Sequence, residues 1–431
     1  MAKVTSRKKE VVCIVGLGYV GLPLAALAVE KGYRVFGIAK DAKKIAQLNR
    51  GINTLSDEQR ITATIAKKRI TAGTKFDVIK RADIVVVCVP TPVDHAYKPD
   101  LGPVISASKG IAKFMKRGQL IIIESTINPG VCEEVVLPIL EATGKRVGKD
   151  FELAHCPERI DPGNATWNVT NIPRCVGSVT PKGAQRAAKF YRSLISGEVR
   201  VMKSIKEAEA TKIIENTFRD INIAYVNELA KSFDVLGIDV HDVIQGAATK
   251  PFAFMPHYPS VGVGGHCIAV DPYYLIERAR QAGFDHKFLK LAREINNSMP
   301  AYTVGKLQEA LNELGKPLKG VSVGVLGLSY KANVGDLRES PSLKVIELLQ
   351  KRGAKVQVYD PYFPEKSSVK SLEALLKGVE AVILATNHRA FVELKPEAYK
   401  RAKVRVVIDG KNALDKIALQ NLGIIYKGIG R

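Results

Sequence analysis

The sequence lacks the features that mark membrane, disulfide-rich or zinc-binding proteins. No apolar run in its 431 residues approaches the roughly 20 residues that a membrane-spanning helix needs. The six cysteines lie far apart, and none belongs to a CxxC pair or has the histidine spacing of a zinc site. The N-terminus, MAKVTSRKKE, is basic but has no apolar signal region. We therefore expect a cytoplasmic protein without a metal site.

The charge is strongly unbalanced, with 65 Lys and Arg residues against 43 Asp and Glu residues and a formal net charge of +22. Such a balance favours phosphate-bearing partners, nucleic acid included. However, the basic residues are scattered, runs such as 67–69 are short, and no aromatic-interleaved RNA-binding motif is present. We interpret the charge as a solvated surface that also attracts dianionic substrates, and we expect neither nucleic-acid nor membrane binding.

The chain is too long for one hydrophobic core, since such cores stop growing at roughly 250 to 300 residues. Short apolar runs alternate with helix-length amphipathic segments at both ends of the chain, a pattern typical of parallel sheets with crossover helices. Between residues 205 and 306 the periodicity is helical. We expect two Rossmann-like doubly wound α/β domains, 1–204 and 311–431, joined by a helical domain, 205–310. The expected strands are 11–15, 34–38, 84–89, 120–124, 152–155, 321–326, 355–359, 381–385 and 404–408.

A glycine-rich motif follows the first expected strand. Gly16, Gly18 and Gly21 form a GxGxxG pattern, with Tyr19 and Val20 inside it, between a VVCIV strand and an LPLAALAVEKG helix. Gly16 would permit the tight turn, Gly18 would let the backbone approach a pyrophosphate, and Gly21 would let helix and strand pack closely. The motif predicts a dinucleotide site.

The residue that would bind the adenosine ribose is not obvious. Ala39 occupies the position at the end of the second strand where an acidic residue is usual, and Lys40 and Asp41 follow. Asp41 could reach the ribose from two residues further on, or Ala39 and Lys40 could tolerate a 2′-phosphate and admit NADP. We favour NAD, and we assign Asp41 and Lys44 to the cofactor.

Several motifs together resemble the UDP-glucose/GDP-mannose dehydrogenase family. In chain order they are GYVGLPLA, VPTP at 89–92, EST at 124–126, PER at 157–159, EATKIIENTFR at 209–219, GGHC at 264–267 with Asp271, YK at 330–331 and DLRESP at 336–341. The resemblance extends from about residue 10 to the final YKGIGR. The stretches PERIDPGN, KPFAFMPHYPSVGVGGHCIAVDPYYL and REINNSMP are most similar to the branch that acts on UDP-N-acetylglucosamine and related N-acetylhexosamines. AHCPER and GGHCIAVDP are also similar to UDP-N-acetylmannosamine dehydrogenases, and UDP-glucose stays a further alternative substrate.

The resemblance implies an NAD-dependent oxidation of the sugar C6 alcohol to the uronate, with two NAD per turnover. Cys267 would attack the intermediate aldehyde, and a thiohemiacetal would be oxidised to a thioester. Lys212 and Asn216, at i and i+4 of one helix, would stabilise developing charge on oxygen. Glu158, Asp271 and Thr126 would activate water and position the reacting groups. A homodimer or higher homo-oligomer is also implied, and the apolar stripe IAYVNELAKSFDVLGI suits such an interface.

The resemblance further assigns ligand contacts. The cofactor-binding residues would be Gly16, Gly18, Tyr19, Val20, Gly21, Asp41, Lys44, Pro90, Thr91, Thr126, Glu158 and Arg338. The substrate-binding residues would be Glu158, Arg159, Lys212, Asn216, His257, Tyr258, Gly264 and Lys331, within loops that include 154–158 and 254–260. Val270 departs from the pattern, because UDP-glucose-specific members commonly carry Lys there, so nearby cofactor contacts would differ.

The residues alone leave simpler alternatives open. Cys267 could be a buried cysteine, Lys212 and Asn216 an exposed polar face, and Arg338 one half of a surface ion pair with Asp336 or Glu339. His266 is not expected to be a base for Cys267, since adjacent residues in an extended loop point apart.

Two other functions compete with this interpretation. A two-electron dehydrogenase of the hydroxyacid type would need no cysteine, so full two-step turnover by Cys267→Ser would favour it. A non-catalytic NAD-sensing or nucleic-acid-binding protein is a remote alternative. Steep salt-dependent DNA binding without NADH production would support that alternative.

Overall fold

The computed structural model describes residues 9–55, 59–94, 97–160, 166–265 and 267–431. The chain divides into two compact units. The first consists of Met1–Glu215 and Tyr273–Gly283, and the second of Asn216–Pro272 and Phe284–Arg431. Across the described ranges, no helix combines the length and the apolar character needed to span a bilayer. The three-domain division expected from the sequence stays a prediction.

The first unit is built on an eight-stranded sheet with the strand order β3-β2-β1-β4-β5-β6-β7-β8. Its strands are β1 Val11–Val15, β2 Arg34–Ile38, β3 Ile70–Gly73, β4 Ile84–Val87, β5 Gln119–Ile123, β6 Phe151–His155, β7 Arg174–Ser178 and β8 Val199–Val201. Its helices are α1 Gly21–Glu30, α2 Ala42–Asn49, α3 Thr62–Ala66, α4 Gly102–Phe114, α5 Leu137–Glu141 and α6 Pro181–Leu194. Three further turns are helical, Gln59–Ile61, Phe76–Arg81 and Cys132–Val136.

All strand pairs but one in this sheet are parallel, and β6 with β7 is the antiparallel exception. The five strands expected from the sequence are present within one or two residues of their predicted ends. The strand order switches between β1 and β4. β2 and β3 lie on one side of β1, and β4 with the later strands lies on the other. In open α/β sheets, ligands bind beyond the carboxyl ends of the strands at such a switch point.

Both faces of this sheet are covered, which explains its nearly continuous apolar strands. Within β1, Val12 and Ile14 join one buried cluster, and Cys13 and Val15 join the cluster on the opposite face. Cys13 therefore behaves as a small buried hydrophobe, and burial raises the pKa of its thiol to about 12.

Four helices follow the first sheet, in agreement with the helical periodicity of residues 205–306. They are α7 Ile205–Leu236, α8 Val240–Ala248, α9 Asp271–Gln281 and α10 Lys287–Asn312. α7 and α9 each continue from one unit into the other. They carry three of the predicted site residues close to the unit boundaries, Lys212 and Asn216 on α7 and Asp271 on α9.

The second unit contains a five-stranded, fully parallel sheet with the order β10-β9-β11-β12-β13. Its strands are β9 Ser322–Leu326, β10 Lys355–Tyr359, β11 Ala381–Leu384, β12 Val406–Asp409 and β13 Ile425–Gly428. The helices are α11 Pro341–Lys351, α12 Leu372–Lys377, α13 Arg389–Val392, α14 Pro396–Arg401 and α15 Lys416–Asn421. Four of these strands were predicted, and α10 packs on the sheet through Val304, Leu307 and Leu311.

Candidate active site

The glycine-rich turn after β1 has the geometry of a phosphate cradle. Gly16 has a φ of +100°, and a Cβ there would lie 2.4 Å from the carbonyl oxygen of Cys88. A Cβ on Gly21 would lie 1.9 Å from the carbonyl oxygen of Gly16. A Cβ on Gly18 would meet no atom of the chain within 4 Å. The fold itself therefore requires Gly16 and Gly21, whereas the space at Gly18 suits a ligand pyrophosphate at the start of α1.

Asp41 is the N-cap of α2. Its Oδ1 accepts hydrogen bonds from the main-chain N–H groups of Lys43 and Lys44 at 2.9 and 3.1 Å. Ala39 lies at the end of β2, where its N–H donates to the carbonyl of Gly73. The Asp41 carboxylate thus stabilises the first turn of α2, and the predicted contacts of Asp41 and Lys44 with the cofactor remain predictions.

The carboxyl ends of β4, β5 and β6 bring several predicted residues to the same edge as the glycine turn. Thr91 follows β4 and is buried, and its carbonyl accepts a hydrogen bond of 2.5 Å from the hydroxyl of Tyr274. Thr126 follows β5 and is half-buried, and Glu158 follows β6 and is buried. Pro90 is exposed beside Thr91. Parallel strands end at one edge, so this placement follows from the topology.

Glu158 belongs to a buried charge cluster in the first unit. Nη1 of the fully buried Arg174 lies 3.4 Å from Oε2 of Glu158 and 3.7 Å from Oε1 of Glu124. The hydroxyl of Tyr191 donates to Oε1 of Glu124 at 2.5 Å. One guanidinium therefore faces two buried carboxyl groups.

The surroundings of Glu124 favour its neutral form. Burial raises the pKa of Glu124 to about 7, with the Glu158 carboxylate adding to the effect and Arg174 opposing it. With Glu124 protonated, the Arg174 cation is balanced by Glu158 alone. The contact with Arg174 orients the Glu158 carboxyl group.

The sequence reasoning missed Arg174 and Tyr191 as members of this site, and it used Glu124 only as part of a motif. A signal was present, since Glu124 follows QLIII and Arg174 opens the short strand RCVGS. Charged residues in apolar runs are buried only when they are paired. The partner could not be predicted from the sequence, because Glu124 and Arg174 are far apart in the chain and come together only when the strands of the sheet pack.

Arg159 lies beside this cluster and has its own partners. Its Nη2 lies 2.6 Å from Oε1 of Glu215, and its Nη1 donates to the carbonyl of Pro173 at 3.0 Å. These contacts hold the guanidinium in place, and its predicted contact with substrate remains a prediction.

Lys212 and Asn216 stand four residues apart on the continuous helix α7, as their spacing predicted. Nδ2 of Asn216 donates a hydrogen bond of 2.5 Å to Oδ2 of Asp271, the first residue of α9. The structure thus brings together two of the predicted catalytic residues of the second unit. The amide of Asn216 keeps one N–H for another acceptor.

Cys267 differs from the other five cysteines because it is exposed and they are buried. Burial raises the thiol pKa of each of Cys13, Cys88, Cys132, Cys156 and Cys175. The main-chain N–H of Asp271 donates to the carbonyl of Cys267 at 2.8 Å, which places Cys267 on the turn that leads into α9. The thiol is therefore accessible, and the buried alternative for Cys267 was wrong.

The loop before Cys267 packs against the loop that follows β9. The N–H of Gly265 donates to the carbonyl of Arg338 at 2.9 Å, and a Cβ on Gly264 would lie 2.6 Å from Cβ of Tyr330. Lys331 is half-buried in the same loop. The exposed Arg338 forms an ion pair with Asp336, with 2.6 Å between Nη2 and Oδ2. This is one of the two surface ion pairs that the sequence left open for Arg338.

The remaining predicted residues are placed as follows. His257 lies in the predicted substrate loop with Nδ1 3.0 Å from the carbonyl of Met255, and the ring of Tyr258 is 5.0 Å from that of His241. Val270 is buried. His266, which was considered and set aside as a base, lies outside the described residues.

Three sequence models of one protein family match the chain. They are the NAD binding domain of the UDP-glucose/GDP-mannose dehydrogenase family at residues 10–195, its central domain at 206–298, and its UDP binding domain at 324–416. The matches follow each other in chain order and cover more than half of the sequence.

Individual relatives match over nearly their whole length. The UDP-N-acetyl-D-mannosamine dehydrogenase of Pyrococcus horikoshii is 36% identical over 425 residues, which cover 97% of this chain and 99% of the relative. The UDP-N-acetyl-D-glucosamine 6-dehydrogenase of Pseudomonas aeruginosa is 36% identical over 418 residues, which cover 94% of this chain and 97% of the relative. The solved structure of the UDP-D-ManNAc dehydrogenase from Pyrococcus horikoshii superposes with a TM-score of 0.91 at 35% identity, covering 97% of this chain and 99% of that one.

Proposed function

Since the chain belongs to the UDP-glucose/GDP-mannose dehydrogenase family and is an NAD-dependent nucleotide-sugar dehydrogenase, we propose that it oxidises the C6 alcohol of a UDP-N-acetylhexosamine to the carboxylate. UDP-N-acetylglucosamine is the proposed substrate, and its manno epimer and UDP-glucose are the alternatives. The observation that carries the proposal is the exposed thiol of Cys267 on a glycine-rich turn, in a chain that matches such dehydrogenases from end to end.

The cofactor would be held at the carboxyl edge of the first sheet. Gly16 and Gly21 shape the turn, Gly18 leaves room for the pyrophosphate, and Thr91 and Thr126 lie at the same edge. Bound NAD⁺ supplies a hydride acceptor for each of the two oxidations. We propose NAD rather than NADP, and two molecules per sugar.

In the first oxidation, the C6 alcohol loses a proton and a hydride and becomes an aldehyde. The ammonium group of Lys212 and the amide of Asn216 are proposed to donate hydrogen bonds to the oxygen as its negative charge develops. Asp271 accepts one N–H of Asn216 at 2.5 Å, and this bond restricts the rotation of the amide. Asp271 would therefore orient a donor.

In the second oxidation, the sulfur of Cys267 forms a bond with the aldehyde carbon, and a proton adds to the oxygen to give a thiohemiacetal. Loss of hydride from that carbon, with loss of the hydroxyl proton, leaves a thioester. Water, deprotonated by Glu158, then displaces the thiolate and forms the carboxylate. The balance for each sugar is one water consumed, two NADH formed and three protons released.

The charge cluster around Glu158 supports this last role. Glu158 is the proposed acceptor of the proton from water, and Nη1 of the buried Arg174, 3.4 Å from its Oε2, holds the carboxyl group in place. Glu124, whose pKa is raised by burial, would not compete for the Arg174 cation below about pH 7. The cluster thus supplies an oriented carboxyl group in a buried setting.

The UDP group is proposed to bind in the second unit. The loop that carries Gly264 packs there against Tyr330, which belongs to the loop that carries Lys331. A lysine ammonium at such a loop is suited to diphosphate oxygens. The ion pair with Asp336 orients the Arg338 guanidinium, which is proposed to face the cofactor.

The test is a spectrophotometric panel of UDP-N-acetylglucosamine, UDP-N-acetylmannosamine, UDP-N-acetylgalactosamine and UDP-glucose, each with NAD⁺ and with NADP⁺. We expect two NADH per molecule of a UDP-N-acetylhexosamine and slower turnover of UDP-glucose. One NADH per sugar would favour a two-electron dehydrogenase, and an absence of turnover with all four sugars would contradict the proposal.

We also propose a homodimer. Phe218, Tyr225 and Leu236 are exposed on α7 to 49%, 57% and 64%, and their spacings of 7 and 11 residues place them on one helix face. A second copy of the chain is the proposed occupant, as expected from the apolar stripe in the sequence. Light scattering after gel filtration should give twice the mass of the chain, and substitution of Tyr225 by Glu should give the monomer mass.

A further inference from the structure

The loop between β9 and α11, residues 327–340, is anchored on two sides. On one side it contacts the loop before Cys267, where a Cβ on Gly265 would lie 2.7 Å from the ring of Tyr330 and the N–H of Gly265 donates to the carbonyl of Arg338. Gly265 has no side chain, so its backbone packs directly against Tyr330. A shift of one loop must therefore move the other. What fixes the 327–340 loop therefore also fixes the segment that carries Cys267.

On its other side the loop is held by Asp360, which follows β10. One oxygen of this fully buried carboxylate, Oδ2, accepts hydrogen bonds from the N–H of Leu328 at 2.7 Å and from the N–H and hydroxyl of Ser329 at 2.9 and 3.0 Å. Burial alone would raise the pKa of Asp360, but the hydrogen bonds from His388, Ser329 and Leu328 outweigh it and hold the pKa well below its usual range. Asp360 is therefore an ionised acceptor.

His388 connects this carboxylate to the far end of the loop. Its Nε2 lies 3.1 Å from Oδ2 of Asp360, and its Nδ1 lies 2.9 Å from the main-chain nitrogen of Asn333. A main-chain N–H can only donate, so Nδ1 must accept, and the single ring proton is then on Nε2, facing the carboxylate. A proton on Nδ1 would oppose the N–H of Asn333 in this arrangement.

Asn333 is held in an unfavourable backbone conformation by these contacts. Its φ of +59° lies in the left-handed region, its N–H donates to His388, and its Oδ1 accepts from the N–H of Arg389 at 3.0 Å. Lys331 stands between the two anchored residues, Ser329 and Asn333. The backbone that presents Lys331 is thus fixed on both sides by the Asp360–His388 pair.

We propose that His388 is a positioning residue of the active site, which bridges Asp360 and Asn333 and thereby fixes the 327–340 loop and, through Tyr330, the glycine turn before Cys267. The inference rests on the proposed function, in which Lys331 binds the UDP group and Cys267 is the nucleophile. None of the motifs that carry the family resemblance includes His388 or Asp360.

Two substitutions distinguish the hydrogen bonds of His388 from the volume that its ring fills. His388→Phe fills the volume without a hydrogen bond, whereas His388→Asn keeps an acceptor near the position of Nδ1. We expect His388→Phe to raise KM for the UDP-sugar by roughly tenfold, because the N–H of Asn333 loses its acceptor and the link between Asp360 and Asn333 is broken. We expect His388→Asn to restore most of the affinity, and kcat at saturation to change less than KM in both.

The second readout needs no substrate. Amide hydrogen exchange of a peptide covering 329–340 should be at least tenfold faster in His388→Phe, and alkylation of Cys267 by iodoacetamide should change in rate as its turn loosens. Tyr362→Leu is the control, because the Tyr362 ring stacks on His388 at 5.0 Å but contributes no side-chain hydrogen bond to the loop, so it should lower Tm without faster exchange at Asn333.

Unchanged exchange and unchanged KM in His388→Phe would overturn the proposal. A wild-type protein that oxidised no UDP-sugar would contradict the proposed function instead, because the exchange and alkylation measurements are made on the free protein. Equal loss of protection in Tyr362→Leu would show that packing, rather than the hydrogen bond, holds the loop, and would also overturn it.

Discussion

The side-chain amide of Asn216 donates to the carboxylate of Asp271 across 2.5 Å, and this contact joins the long helix α7 to the first residue of α9. An amide whose carboxylate partner fixes its rotation presents its second N–H in one direction. Such preorganised donors are effective in stabilising an oxyanion, because they need no reorientation during the reaction.

The first prediction concerns this pair. Asn216→Ala should lower kcat by about 10²-fold with little change in KM, the usual cost of one oxyanion donor. Asp271→Asn should lower kcat through the loss of orientation, and the double variant should be only slightly worse than the poorer single one, since both act through one amide. Steady-state kinetics of the four proteins measure the coupling, and fully additive losses would contradict a shared role.

The second prediction concerns Cys267. Cys267→Ser should form carboxylate at a rate lower by on the order of 10³-fold or more, since the nucleophile of the second oxidation is lost. Cys13→Ala is the matched control, a buried thiol in β1 that should cost stability but leave kcat unchanged. The readout is NADH per sugar together with the carboxylate product, and two NADH per sugar at normal rate in the serine variant would contradict the need for the Cys267 thiol.

The third prediction separates two glycines of one motif. Gly18→Ala places a methyl group in open space, so stability should change by less than about 0.5 kcal/mol, while KM for NAD⁺ rises because the pyrophosphate is displaced. Gly21→Ala brings a Cβ to 1.9 Å from the Gly16 carbonyl oxygen and should destabilise the fold by about 3 kcal/mol or more. Urea unfolding and NAD⁺ titration distinguish the two, and equal effects on stability would contradict the assignment.

The fourth prediction is a pH dependence that originates at Glu124. Its folded-state pKa is raised from 4.5 to about 7, so the folded state binds this proton more tightly than the unfolded state does. Its contribution to stability is present below about pH 4.5 and is lost as the pH rises through 7. At roughly 1.4 kcal/mol per pKa unit, the loss is on the order of 3 kcal/mol.

Unfolding of the wild type and of Glu124→Gln in urea at pH 5 and pH 8 tests this dependence. Glu124→Gln should not lose stability between pH 5 and pH 8. Its side-chain oxygen can still accept a hydrogen bond from the Tyr191 hydroxyl. Tyr191→Phe removes a hydrogen bond that lowers the pKa of Glu124, so it should extend the pH dependence to higher pH. The same pH dependence in wild type and Glu124→Gln would show that Glu124 titrates normally.

The fifth prediction resolves the two roles of Asp41. Asp41→Ala should lose the N-cap and about 1 kcal/mol of stability, whereas Asp41→Asn keeps an oxygen for the N–H groups of Lys43 and Lys44. If Asp41 also binds the ribose, as expected from the sequence, both variants should raise KM for NAD⁺. A normal KM for NAD⁺ in Asp41→Asn would leave capping as its only function.

The sequence predicted those parts of the fold that depend on local pattern. Runs such as IVVV in β4 and QLIII in β5 are apolar enough to identify buried strands, and the family and its nucleotide-sugar chemistry were also identified correctly from the motifs. β3, β7, β8 and β13 were not predicted, because each has only three to five residues and mixes polar with apolar side chains.

Residues of the candidate site could be proposed from the sequence only where a motif contains them. Cys267 and Asn216 were assigned through the family resemblance, whereas the contacts of Glu158 with Arg174 and of Asp360 with His388 depend on residues 16 and 28 positions apart. Such pairs form through the packing of separate strands. No local periodicity encodes them.

The antiparallel pairing of β6 with β7 has a consequence for the charge at the carboxyl edge of the first sheet. Ala154 is opposite Ser178 and His155 is opposite Gly177, so continuing that register by three residues brings Glu158 level with Arg174. In a parallel β7, the leading residue would instead lie at the amino edge of the sheet, a full strand length away. Reversal of a single strand thus delivers a cation to the carboxylate beside it, and a one-residue insertion in β7 would be enough to separate them.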